Sequence, residues 1–185
     1  ATRLAILGEA RGRLQAAGYV HIGLGQFARR DDGLAVALSE GRLARDLQGY
    51  TSHPPGDQLG LGVAAISRVG ATLTRNARQL EEYEAALDAS RLPVAGGLRP
   101  GSEQRLRAAA MEALACRREL DLTALSREYG CNAGVLLADD LQRLAPFCEA
   151  GLLERQGERL RLTPDGAWGL TRLLAAFDPG ADPTP

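Results

Sequence analysis

Residues 91–102 read RLPVAGGLRPGS, with two prolines and three glycines in twelve positions. Proline removes a backbone donor and glycine raises the entropy cost of ordering, so the interior of a helix or strand resists such a stretch. A chain of 185 residues is expected to divide there. We expect one unit over 1–95, a second over 97–178, and a polar, proline-bearing disordered tail over 179–185. Hydrophobic content of 45% against 24% charged is enough for a core in each unit.

The two units differ in texture. In the first, a helix is expected over 3–17, with Leu4, Leu7, Arg11 and Leu14 in one stripe and Gly18 as its C-cap. The run YVHIGL, Tyr19 to Leu24, follows as a strand, and helix–glycine–strand is the ending of an α/β unit. DDGLAVALSEGRL reads as a second helix with an acidic start, as the helix dipole prefers. A loop over Gln48–Asp57 leads to an apolar, glycine-bearing strand, Leu59 to Ser67. Asn76 is the expected cap of a helix over 77–89 with Leu80, Tyr83 and Leu87 on one face. The second unit reads as helices over 103–118, 122–129 and 134–149. A hairpin across Gln156-Gly157 and a last helix, capped by Thr163 with Pro164 and Asp165 in its first turn, complete it. The expected fold class is α/β: the tail of a partial (β/α) barrel, then a mostly helical, winged-helix-like C-terminal domain.

Several chemistries are excluded. There is no lysine; all 22 basic residues are arginine, against 23 acidic ones. A P-loop lysine, a Schiff-base lysine and a Ser-Lys pair are therefore out of reach. Cys116, Cys131 and Cys148 have no metal-motif spacing and read as small core residues in a reducing cytosol. No apolar run reaches roughly 18 residues, so no membrane span is expected. DNA binding by a winged helix needs a basic recognition helix. Residues 134–149 offer only Arg143 against Asp139, Asp140 and Glu149.

His21 and His53 lack partners at catalytic spacing and read as non-catalytic. Asp31-Asp32 reads as a helix start. Arg29 and Arg30, at the end of a strand, are positioned either to hold carboxylates or to sit on a solvated loop. Gly60 and Gly62 interrupt an apolar strand, which signals close backbone approach, either by another element or by a ligand.

The stretch from Gly18 to Gly70 resembles the later part of the oxygen-independent coproporphyrinogen III oxidases, a radical SAM family of haem biosynthesis. The family shows Tyr-x-x-Ile-Gly-Met-Asp-His-Phe-Ala-Arg, then Asn-Phe-Gln-Gly-Tyr-Thr-Thr, then Leu-Gly-Met-Gly-Val-Ser-Ala-Ile-Ser. YVHIGLGQFAR, DLQGYTS and LGLGVAAIS follow that order. The resemblance is specific between Tyr19 and Ser67 and looser beyond residue 97.

The resemblance implies oxidative decarboxylation of coproporphyrinogen III to protoporphyrinogen IX. A 4Fe-4S cluster cleaves S-adenosylmethionine, and the resulting radical takes a propionate β-hydrogen before carbon dioxide leaves. The family's cluster motif, Cys-x-x-x-Cys-x-x-Cys, belongs to its N-terminal half. A fragment, inactive alone, is thus expected, and the chain's start in mid-helix without methionine agrees. The resemblance also implies two S-adenosylmethionine molecules per parent enzyme, one touching Ile66, with Gln48, Tyr50, Gly62 and Val63 near it. Backbone groups freed by the glycines would face the nucleoside. An electron donor, coproporphyrinogen III as substrate, a cytoplasmic location, a monomer and no nucleic-acid partner complete the expectation. Two departures stand out: Gly25-Gln26 replaces the family's Asp-His, and Arg172 is followed by Leu173 instead of Asn. A haem-chaperone-like relative without decarboxylation and a winged-helix DNA-binding module are the alternatives.

Overall fold

The computed structural model describes residues 2–54, 56–178 and 180, and the side chains from residue 5 onward. The expected tail over 179–185 lies, except for Gly180, outside the described residues.

Helix α1 (Thr2–Ala16) ends at Gly18, whose positive φ of 84° suits its role as C-cap. It leads into β1 (Tyr19–Gly23), which pairs antiparallel with β2 (Gln26–Arg29). The left-handed pair Leu24 and Gly25 turns the chain back into this hairpin, so Arg29 closes the second strand and not the first. Helix α2 (Gly33–Ser39) starts at Asp32, whose carboxylate accepts the Leu34 N–H at 2.8 Å. The short strands β3 (Ala44–Arg45) and β4 (Tyr50–Thr51) pair across a tight turn.

The strand expected over Leu59–Ser67 is much shorter. Only β5 (Ile66–Val69) pairs, with β6 (Thr72–Asn76), and residues 59–65 form an irregular loop. Leu61 at 90% and Leu59 at 76% exposure show that its apolar content does not mark burial. Helix α3 (Leu80–Asp88) begins after Gln79, and Asn76 does not cap it. Strand β7 (Val94–Leu98) then pairs with β6. The glycine-rich half of the expected linker is therefore an edge strand, where proline before it and glycine within it are tolerated. The α/β class holds, with every strand pairing among the described residues antiparallel.

Helix α4 (Ser102–Glu112) runs into a π-helical turn, Ala113–Arg117. Strand β8 (Glu119–Asp121), α5 (Leu122–Tyr129), α6 (Ala133–Leu136) and α7 (Ala138–Glu149) follow. The expected hairpin is β9 (Leu153–Gln156) and β10 (Arg159–Leu162); β8 joins it as a third strand, in the order β8–β10–β9. The last helix, α8 (Leu170–Ala175), starts later than expected. Thr163 caps the preceding turn instead, its hydroxyl oxygen accepting the Gly166 N–H at 3.0 Å.

One hydrophobic cluster spans the expected boundary: Ile22, Ala35 and Tyr50 join Leu106, Leu114 and Phe147. The α1 stripe takes little part, with Leu7 exposed and Arg11 and Leu14 only half-buried.

Candidate functional site

Two chain segments close in sequence build a cleft, a space of about 560 Å³. Leu47 and Gln48 come from the turn between β3 and β4. Leu59, Gly60, Leu61, Ala65 and Ile66 come from the glycine loop and the start of β5, and Gln58 lies between the segments. Both residues singled out in the sequence, Gln48 and Ile66, thus line the same space.

The turn is organised by Asp46. Its Oδ1 accepts the N–H groups of Gln48 at 2.8 Å and Gly49 at 3.0 Å, and its own N–H donates to the Gly49 carbonyl. This holds Gln48 exposed at the tip. Gln58 ties the turn to the sheet. Its Nε2 donates to Asp46 Oδ2 at 3.1 Å, its Oε1 accepts the Leu47 N–H at 3.2 Å, and its backbone pairs with Arg68.

The glycine loop answers the question its sequence raises, and the answer differs from the nucleoside-facing backbone expected. A β-carbon on Gly60 would overlap the Ile66 carbonyl, so the close approach there is made by the chain itself. Gly62 has a φ of 105°, a conformation that side chains disfavour. The polar groups of both glycines are used internally. Gly60 N–H donates to Ser67 Oγ at 3.0 Å and Gly62 N–H to the Tyr83 hydroxyl at 3.1 Å. Asn76 Nδ2 donates to both carbonyls, at 3.2 and 2.9 Å. The cleft therefore offers apolar side chains and the Gln48 amide, while these glycine backbone groups face inward partners. The roles of Asn76 and Gln58 escaped sequence reading; an Asn just before a helical pattern reads first as a cap.

The remaining candidates fall elsewhere. Tyr50 is buried behind the turn, where its hydroxyl donates to the Ala115 carbonyl at 3.1 Å and burial pushes its pKa up to about 12. It braces the site from within. Gln26, in the position of the Asp-His departure, packs its amide onto Gly49, next to Gln48. His21 is buried and stacked on Trp168, with its pKa lowered to about 4 by burial and then by Arg118 and Arg11. His53 is exposed. Arg29 pairs with Asp31 at 3.4 Å. Among the described residues, the guanidinium nitrogens that are buried without a hydrogen-bond partner are Arg45 Nε and Arg68 Nη2.

Arg143, the one basic residue of the expected recognition helix, is turned inward. It pairs with Asp140 and donates to the Ala176 carbonyl at 2.6 Å. That leaves α7 without a cation for a phosphate. Among the described residues no group of three or more His, Cys, Asp and Glu converges as a metal site. Cys116 is buried, with burial raising its thiol pKa to about 11, the opposite of a metal-binding thiolate. The residues described here do not fit an iron–sulfur cluster. The cleft presents leucine and isoleucine surface beside the Gln48 amide. No helix among the described residues is long and apolar enough to cross a membrane.

Residues 102–168 match the HemN C-terminal domain family. The chain is 34% identical to an oxygen-independent coproporphyrinogen III oxidase of Pseudomonas aeruginosa, over 95% of this chain and 38% of that protein. It is 34% identical to one of Thermostichus vulcanus, over 96% of this chain and 55% of that protein. A solved structure described as coproporphyrinogen III oxidase (HemN) from Escherichia coli, a radical SAM enzyme, superposes with a TM-score of 0.91 at 32% identity. That match covers 96% of this chain and 41% of the other. The chain thus spans only part of the length of its relatives.

Proposed function

We propose, from the premise that this chain is kin to the C-terminal portion of the oxygen-independent coproporphyrinogen III oxidases, that it serves oxidative decarboxylation of coproporphyrinogen III to protoporphyrinogen IX. In this reading the chain acts within a larger cytoplasmic, monomeric protein supplied by an electron donor, and is inactive alone. S-adenosylmethionine, with a 4Fe-4S cluster held outside the described residues, supplies the hydrogen-abstracting radical when bound. This chain supplies position and exclusion of water.

The observation that carries the reading is the shared cleft of Gln48 and Ile66. Ile66, with Leu47, Leu59 and Leu61, presents apolar surface suited to the faces of an adenine. Gln48, held at the turn tip by Asp46, presents an amide that both donates and accepts. We assign S-adenosylmethionine to this cleft.

One observation favours a second reading, a relative on the same scaffold that handles porphyrin without decarboxylation. Gln26 lies against Gly49 beside the cleft, where the family pattern has an ionisable pair, so a proton-transfer group is missing next to the proposed ligand. The experiment is incubation of a protein carrying this chain with reductant, S-adenosylmethionine and coproporphyrinogen III. Formation of protoporphyrinogen IX upholds the first reading. Binding of the porphyrinogen without carbon dioxide release upholds the second.

A further inference from the structure

The glycine loop lacks the means by which loops usually keep a shape. Leu59 and Leu61 point into solvent, and residues 59–65 contribute nothing to the buried core. A segment with few buried apolar contacts has low local stability unless its polar groups are tied down. Here hydrogen bonds do the tying, and they converge on Asn76. Its side chain, only 6% exposed, reaches the carbonyls of Gly60 and Gly62, and its own N–H donates to the Ala65 carbonyl at 2.9 Å. Ser67 and Tyr83 each make one bond to the loop; Asn76 makes three. Two carbonyl acceptors require that the amide nitrogen face the loop, which fixes the orientation of the side chain.

Asn76 is absent from the cleft lining and stands behind it. We infer that Asn76 is a positioning residue: it holds the Gly60–Ala65 wall in its ligand-ready shape, so that Leu59, Leu61 and Ile66 meet the ligand together with Gln48. This rests on the assignment of S-adenosylmethionine to the cleft. The cleft is then formed before the ligand arrives, and binding avoids the entropy cost of ordering the loop.

The test uses the full chain with Asn76→Ala, which removes both side-chain bonds, and Asn76→Ser, which keeps a single shorter donor. Equilibrium dialysis with S-adenosylmethionine gives the dissociation constant and the stoichiometry separately. Loss of two hydrogen bonds to a preformed wall is expected to raise the dissociation constant about tenfold in Asn76→Ala, with stoichiometry unchanged. Asn76→Ser should fall between it and the unmodified chain. Amide exchange read by mass spectrometry is expected to rise across 59–65 and stay constant in α4 and α7. A fall in stoichiometry with an unchanged dissociation constant would mean a merely structural residue and overturn the inference. Unaltered exchange across 59–65 would overturn it as well. If the unmodified chain binds no S-adenosylmethionine while exchange still rises in Asn76→Ala, the ligand assignment fails and the clamp stands.

Discussion

The imidazole of His21 lies flat on the indole of Trp168, with ring centroids 3.7 Å apart and planes 9° from parallel. His21 belongs to β1 and Trp168 to the turn before α8, so the stack joins the two ends of the chain. Arg11 of α1 sits 3.9 Å from the same indole centroid, and Arg118 donates to the His21 carbonyl at 2.8 Å. These contacts set the first hairpin against the helical part.

The stack makes stability depend on pH. Folding lowers the His21 pKa from 6.5 to about 4, so the folded chain keeps the ring neutral where the unfolded chain protonates it. The unfolded state binds more protons between those values. The stabilisation is full above pH 6.5 and is lost as pH falls towards 4, at up to about 1.4 kcal/mol per unit. The chain has one tryptophan, which reports the contact directly. Thermal melts followed by Trp168 fluorescence should show a lower Tm at about pH 5 than at about pH 7. His21→Phe keeps a ring in place and should flatten the difference; an equal slope in both proteins would mean that other groups cause it.

Asp140 is completely buried between Arg107 and Arg143, with Arg107 Nε at 2.9 Å from its carboxylate. Asp140→Ala leaves two guanidinium groups facing each other. Both still reach solvent in part, so a loss of about 3 kcal/mol is expected, the low end for a broken buried pair. Urea unfolding checks this, and a loss below about 1 kcal/mol would show that the triad adds no more than a surface pair.

Tyr50 and Gly23 form a second joint. Tyr50→Phe removes the bond to the Ala115 carbonyl and should cost about 1 kcal/mol. A β-carbon at Gly23 would overlap the Tyr50 hydroxyl, and the φ of 148° adds strain. Gly23→Ala should therefore be less harmful in the Tyr50→Phe background. Additive losses in urea unfolding would contradict that coupling.

Gly60→Ala drives a methyl group into the Ile66 carbonyl. It should abolish S-adenosylmethionine binding in equilibrium dialysis while the helical far-UV signal stays intact. Retained binding would show that the loop can shift without loss of the site.

Much of this was legible in the sequence because local rules act alone there. Gly18, Asp32 and the last hairpin follow from cap and hairpin chemistry, although its turn falls one residue later than expected, at Gly157-Glu158. The strand expected over 59–67 failed for a physical reason. Apolar residues signal burial only when something covers them, and Leu59 and Leu61 are exposed among the described residues. The strand at Val94–Leu98 was hidden by glycines that read as a linker but suit an edge strand. Gln48 and Ile66 came to notice through the family resemblance. Asn76 and Gln58 did not, because their partners lie 11 to 16 residues away at no motif spacing, which no spacing rule reveals.

The chain contains three isoleucines, Ile6, Ile22 and Ile66, so a carbon-13 methyl spectrum labelled at isoleucine resolves the site almost alone. Ile22 is buried in the core and Ile6 lies on α1, away from the cleft lining. Titration with S-adenosylmethionine should move the Ile66 methyl signal in a saturable manner, and leave the other two in place. A saturable shift at Ile22 or Ile6 with Ile66 unmoved, or no shift at any of the three, would contradict the assignment of this cleft.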